Sequence, residues 1–259
     1  MKQSKSIDKI RQRLSKNTVT LLLSNGGSVI LSFLLSILIG RLLGEDGLGV
    51  YASVLAWIFP LSLVTEFGLG TLITRDIAQN PENAHAYLRA SISARLIIGG
   101  LLILITWLTA PYLSQDELVV QGLGLSSPMI IILPFYSSFT AIFRAREIMH
   151  PIAWLNLGML IAQVTLTVIA LYFGGDILVI LAINVITSAG QLVGAWAVYR
   201  MWFYRPSKQA ISILPLLKAS TPFAIAAILA AIQTRASIIL LEQFTTTQAV
   251  GYYTAASRF

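Results

Sequence analysis

Seven apolar runs, each about 20 residues or longer and separated by short polar connections, decide what this chain can fold into. They cover residues 19–43, 50–74, 94–112, 118–143, 152–173, 177–203 and 216–241, and an eighth begins near residue 250. Hydrocarbon offers the backbone no hydrogen-bond partner, so a run of this length satisfies its own amides as an α-helix. The predicted fold class is therefore all-α, a polytopic membrane protein. Composition agrees, with 56% hydrophobic and 11% charged residues against a usual charged share of about a quarter.

Loop charges set the orientation. With the N-terminus on the cytoplasmic side, the inner segments hold Lys2, Lys5, Lys9, Arg11, Arg13 and Lys16, then Arg75, Arg89 and Arg95, then Arg144 and Arg146, then Arg200, Arg205, Lys208 and Lys218. The outer loops hold Arg41 beside Glu45, Asp46, Asp116, Glu117 and Asp176. That asymmetry follows the positive-inside rule. It also accounts for the net charge of +7 without nucleic acid, since the basic residues cap apolar runs instead of forming one patch. Residues 1–17 place Ile7, Ile10 and Leu14 at helical spacing among six basic residues, which predicts an amphipathic segment lying on an anionic leaflet. The run that follows is too long for a secretory signal. The chain has no cysteine, and His85 and His150 stand alone in polar loops, so neither metal nor cofactor is expected.

The second run is the unusual one, because Pro60 and Glu66 lie well inside it. Proline removes a backbone donor, and a carboxylate deep in a bilayer costs about 2.5–3.5 kcal/mol unless it meets a partner or water. Glu66 is nine residues deeper than Arg75, or about 13 Å at the helical rise. Something polar is expected beside it, either an arginine that pairs with it as structural glue or a translocation cavity. Pro134 and Pro222 also interrupt apolar runs, and Asn156, Gln163, Asn184 and Gln191 recur there, for which ordinary interhelical hydrogen bonds are the default. Gly40 with Gly44 and Gly190 with Gly194 form GxxxG pairs, read as close helix packing.

Residues 42–53, LLGEDGLGVYAS, have the same layout as residues 244–255, FTTTQAVGYYTA, at an offset of 202 that pairs Leu48 with Val250, Gly49 with Gly251 and Tyr51 with Tyr253. The offset carries the first run onto the seventh and the second onto the eighth, as a parallel repeat of six helices requires. The expected organisation is an interfacial segment at 1–17, a six-helix lobe at 18–210 and the start of a second lobe at 211–259, cut short in its second helix.

The outer turn LLGEDGLGVYAS, the segment TEFGLGTLITRDIA at 65–78 and the stretch TRASIILLEQFTTTQAVGYYTAASRF at 234–259 are similar to motifs of the polysaccharide exporters and O-antigen flippases of the multidrug/oligosaccharidyl-lipid/polysaccharide exporter superfamily. The family pattern of acidic residue, Phe or Leu, Gly, Leu, then Arg, acidic residue and Ala is met by Glu66, Phe67, Gly68, Leu69, Arg75, Asp76 and Ala78. Family members often carry Asp where Ser237 stands, while Arg235 is kept.

The resemblance implies two lobes around a cationic cavity that opens alternately to each side, and export of undecaprenyl-pyrophosphate-linked oligosaccharide across the inner membrane for O-antigen or other surface polysaccharide biosynthesis. It implies a transporter and not an enzyme, with membrane lipids, a polysaccharide polymerase and glycosyltransferases as partners. Arginine's planar fork suits a diphosphate. On this reading Arg235 contacts the head group, and Glu66 either partners it or couples an ion gradient; the structural alternative pairs Arg235 with Glu66 or Glu242. Arg89, Arg95, Arg144 and Arg146 at inner ends are candidates for head-group capture, and Arg41 for release, although topology alone explains all five. A multidrug or cation antiporter, a lipid II flippase, a non-transporting scaffold and an inactive truncated product remain as alternatives.

Overall fold

The structure, a computed structural model, describes residues 2–204 and 211–257, with the side chains of residues 2–18 and 21 outside that description. The amphipathic character expected for residues 1–17, and the inner-side Arg205 and Lys208, therefore lie outside it. Ten α-helices follow in order: α1 Lys2–Leu42, α2 Gly44–Glu66, α3 Leu69–Gln79, α4 Ala84–Leu113, α5 Glu117–Ser126, α6 Met129–Ala145, α7 His150–Tyr172, α8 Ile177–Trp202, α9 Ile213–Phe244 and α10 Thr247–Ala256. Among the described residues there is no strand. Seven segments are long and apolar enough to span a membrane: Leu22–Leu42, Gly44–Gln79, Pro81–Leu113, Glu117–Ala145, His150–Tyr172, Ile177–Trp202 and Ile213–Phe244. These are the seven expected from sequence, and the chain is a multi-pass, all-α membrane protein.

The acidic residues of the outer loops prove to be helix starts. Asp116 accepts from the Leu118 amide at 2.9 Å and Asp176 from the Val179 amide at 3.0 Å, so each caps the exposed N–H groups of a helix heading inward. Arg144 and Arg200 fall in the last turns of α6 and α8, where the negative helix end favours a cation. One charge that belongs to topology is thus also one that stabilises the helix end.

Two spans are discontinuous. The fourth breaks at Ser127–Pro128, between α5 and α6, where the proline has no amide to donate. The second breaks directly after Glu66: Phe67 and Gly68 both adopt left-handed backbone, with φ of 50° and 65°, before α3 resumes the span. This span is the hub of the bundle, touching α1, α4, α5, α6, α8, α9 and α10. Two apolar cores form around it. One gathers Leu35, Ile39, Val54, Ile58, Leu123 and Ile180, and the other Leu72, Ile73, Ile77, Leu88, Phe143 and Tyr199.

Polar side chains stitch the helices together elsewhere. The Tyr51 hydroxyl accepts from Gln163 Nε2 and Asn184 Nδ2, both at 3.3 Å. Asn156 Oδ1 accepts from the Tyr136 hydroxyl at 2.7 Å and from Gln191 Nε2 at 2.8 Å. The four amide residues are thus interhelical linkers between α2, α6, α7 and α8, as the default reading held. The GxxxG pairs divide: Gly194 leaves room for Leu155 of α7, whereas Gly44, at φ 74°, makes the α1–α2 turn.

Candidate functional site

The break after Glu66 fixes the geometry of the site. Gly68 can take its left-handed conformation, and α9 presses against it so closely that an added Cβ would lie 2.6 Å from the Ala224 amide nitrogen and 2.7 Å from Phe223 Cβ. Irregular backbone within a span is tolerated only where protein or a hydrated cavity covers it. Glu66, as the last residue of α2, turns its carboxylate toward α6, where it accepts from Ser137 Oγ at 2.7 Å.

Arg95 of α4 lies on the other side of that carboxylate. Its side chain is 0% exposed, its Nη2 is 3.8 Å from Glu66 Oε1, and its Nη1 donates to Ser138 Oγ. Ser91 Oγ extends the chain of hydroxyls at 3.4 Å from Ser138. A guanidinium sealed among helices with one carboxylate beside it is held by that charge as much as by its hydrogen bond, because in a low-dielectric interior neither ion is stable alone.

Glu66 itself is 24% exposed. It opens into a cavity of about 590 Å³ lined by Glu66, Gly70, Thr71, Thr74, Arg75, Ser137 and Arg144. Arg144 donates to Thr140 Oγ1 at 3.2 Å and is exposed. With the orientation set by the loop charges, this cavity runs from the inner ends of α3 and α6 up to the carboxylate. Its rim carries two arginines, and its floor is a carboxylate already neutralised by Arg95.

Arg235 is elsewhere. It is half-buried on α9 with its guanidinium carbon 5.1 Å from the centre of the Phe59 ring, and Phe59 lies seven residues outward of Glu66, about 10 Å along α2. It lines a second cavity, of about 380 Å³, with Tyr51, Leu55, Ser237, Tyr253 and Thr254. The ion partner the structure gives Glu66 is therefore Arg95 and not the Arg235 considered from sequence. Glu242 is buried beside Gln243, which donates to it at 3.2 Å.

The remaining arginines separate. Arg95 corrects the expectation of an inner-rim position, because its helix begins at Ala84, ten residues before the expected run, so that Arg95 falls inside the span. Arg89 and Arg41 are exposed, and Arg41 borders a mainly apolar groove with Phe33, Ile37, Leu48 and Tyr252. Arg146 donates to the Pro81 carbonyl at 3.0 Å and so ties two inner loops. Arg75 pairs with Asp76 at 2.9 Å, and the Tyr87 hydroxyl donates to the same carboxylate, which gives the Arg75–Asp76 part of the span-two pattern a structural use. The pairing of Arg95 did leave a trace in the sequence: Leu88, Ser91, Arg95 and Gly99 recur every three or four residues, one face of a helix.

A bundle of membrane-spanning helices with a broken central helix, a buried ion pair and cavities lined in part by polar side chains defines the chain as a multi-pass membrane protein. The chain belongs to the polysaccharide biosynthesis protein family, whose pattern matches residues 14–259. It is similar to stage V sporulation protein B of Bacillus subtilis (strain 168), with 25% identity over 152 residues, 55% of this chain and 29% of that protein's own length.

Proposed function

We propose that the intact protein moves an undecaprenyl-pyrophosphate-linked oligosaccharide from the inner to the outer leaflet of the inner membrane for surface polysaccharide synthesis, by alternating access. The observation that carries this reading is the discontinuous second span, which puts Glu66 at the end of a cavity with Arg75 and Arg144 toward its inner end. A diphosphate leaving the cytoplasmic leaflet needs countercharge and replacement hydrogen bonds, and arginines on a polar path supply both. Arg144 then acts in capture, Arg235 receives the head group farther out, and Arg41 stands where released lipid would regain the outer leaflet. The Glu66–Arg95 pair keeps a charged centre inside the bundle, with the Glu66 carboxylate facing the cavity and Arg95 sealed behind it. Membrane lipids are its surroundings, and a polymerase and glycosyltransferases of the same pathway its working partners.

The test is Arg235→Ala in the intact protein. Surface polysaccharide should fall to background with membrane abundance unchanged. Polysaccharide at the parental level would overturn the assignment.

A further inference from the structure

The two turns that the internal repeat relates also meet in space, and they meet symmetrically. An added Cβ at Gly49 would run into the Thr247 carbonyl oxygen, and one at Gly251 would run into the Glu45 carbonyl oxygen. Gly49 and Gly251 differ by 202 in number, and so do Glu45 and Thr247. Each contact is therefore the image of the other under the repeat, the reciprocal pattern of an interface across a twofold axis. The repeat offset also brings the end of α1 at Leu42 onto the end of α9 at Phe244.

The contact brings together the first turns of two helices that run in the same direction. Their positive ends oppose close approach, and Glu45 answers both. It lies in the first turn of α2, and its Oε1 accepts from Gln248 Nε2 and from the Tyr252 hydroxyl of α10, each at 3.0 Å. A second tie comes from the α4–α5 connection, where Asp116 Oδ2 accepts from Thr247 Oγ1 at 2.9 Å and the Leu113 carbonyl accepts from Gln243 Nε2. Two residues on from the glycines, Tyr51 and Tyr253 begin the lining of the cavity that holds Arg235.

We infer that Gly49 and Gly251 are the gating positions of the outer face: their bare backbones close the two lobes over the Arg235 cavity, and the Glu45 carboxylate latches them. This rests on the transport reading for its purpose, but not for its geometry. Because the contact is backbone on backbone, a side chain at either glycine cannot turn aside and must part the helices. Small residues have this use wherever helices in a membrane approach closely. The state described is then closed outside, with the Glu66 cavity reaching the inner ends.

These 259 residues carry no cysteine, and any cysteine elsewhere in the intact protein is replaced by serine for the test. Ser237→Cys in the intact protein places one thiol on the wall of the Arg235 cavity, and cells are treated with a membrane-impermeant maleimide from outside. Labelling should be slow with glycine at both positions and about tenfold faster with Gly49→Val or Gly251→Val, a shift of about 1.4 kcal/mol toward the open state. Equal rates in variants that reach the membrane would overturn the gate. Should the valine variants not accumulate, Glu45→Gln in the Ser237→Cys background decides it, because it removes the latch charge and leaves both glycines in place. Labelling should again be faster than in Ser237→Cys alone, and an equal rate would overturn the gate. Accelerated labelling in the valine variants of a protein that exports nothing would support the gate while removing the transport reading.

Discussion

Glu66→Gln removes the only carboxylate within salt-bridge distance of Arg95 among the described residues and leaves a hydrogen-bonding side chain of nearly the same shape. Arg95 is 0% exposed and cannot reach water, so its charge loses its compensation where it stands. Breaking a buried pair by deleting one partner costs about 3–5 kcal/mol. The 3.8 Å separation and the 24% exposure of Glu66 argue for the lower end, about 3 kcal/mol. At about 2–4 °C per kcal/mol for a chain of this size, the melting temperature in detergent should fall by about 6–12 °C. The informative control is the double variant. Glu66→Gln with Arg95→Met removes both charges and should recover at least half of the loss, whereas Glu66→Gln with Arg235→Met should recover none. Melting of the purified intact protein, followed by intrinsic tryptophan fluorescence, gives all of these values. A Glu66→Gln variant that melts with the parent, or rescue by Arg235→Met in place of Arg95→Met, would refute the pairing.

Gly68→Ala should be among the most damaging single substitutions in the bundle. It forces a side chain into left-handed backbone, at a cost of about 1–3 kcal/mol, and drives its Cβ to 2.6 Å from the Ala224 amide. Loss of folded protein from size-exclusion profiles would register this, and a normal profile would argue against the α3–α9 contact. Tyr51→Phe removes the acceptor of two interhelical bonds, each worth about 0.6 kcal/mol in a membrane protein, so melting should drop by only a few degrees and export should persist; complete loss of export would mean that the hydroxyl touches substrate. Arg144→Gln should slow export at limiting substrate while leaving melting unchanged, measured as the rate of polysaccharide appearance after induction.

The spans were legible because hydropathy depends on local composition, and the orientation because short-loop charges sort by side. The unusual second span was legible for the same reason: a carboxylate and a proline in an apolar run stand out against their neighbours. What Glu66 pairs with was not, because a pairing partner is set by rotation and tilt of helices far apart in sequence, and several arginines satisfy the composition equally. Arg95 was misplaced for a further reason. Its own charge, with Arg89 and His85 before it, depresses the hydropathy of the first turns of α4, so the apolar run is predicted to start ten residues after the helix does. The break at Phe67–Gly68 left only a Gly in an apolar stretch, a weak signal. The 202-residue offset between the turns at Gly49 and Gly251, by contrast, is visible in the sequence, and the structure brings those two turns into contact.

The account stands most directly on movement of a lipid-linked sugar head group through this protein. Vesicles reconstituted with the intact protein and a fluorescent polyprenyl-pyrophosphate oligosaccharide in both leaflets, then exposed to a membrane-impermeant quencher, measure it. With the parental protein, quenching should proceed past the outer-leaflet fraction until the inner-leaflet pool is consumed, and with Arg235→Ala it should stop at the outer-leaflet fraction. Quenching that stops at that fraction for the parental protein, as in protein-free vesicles, would contradict the account.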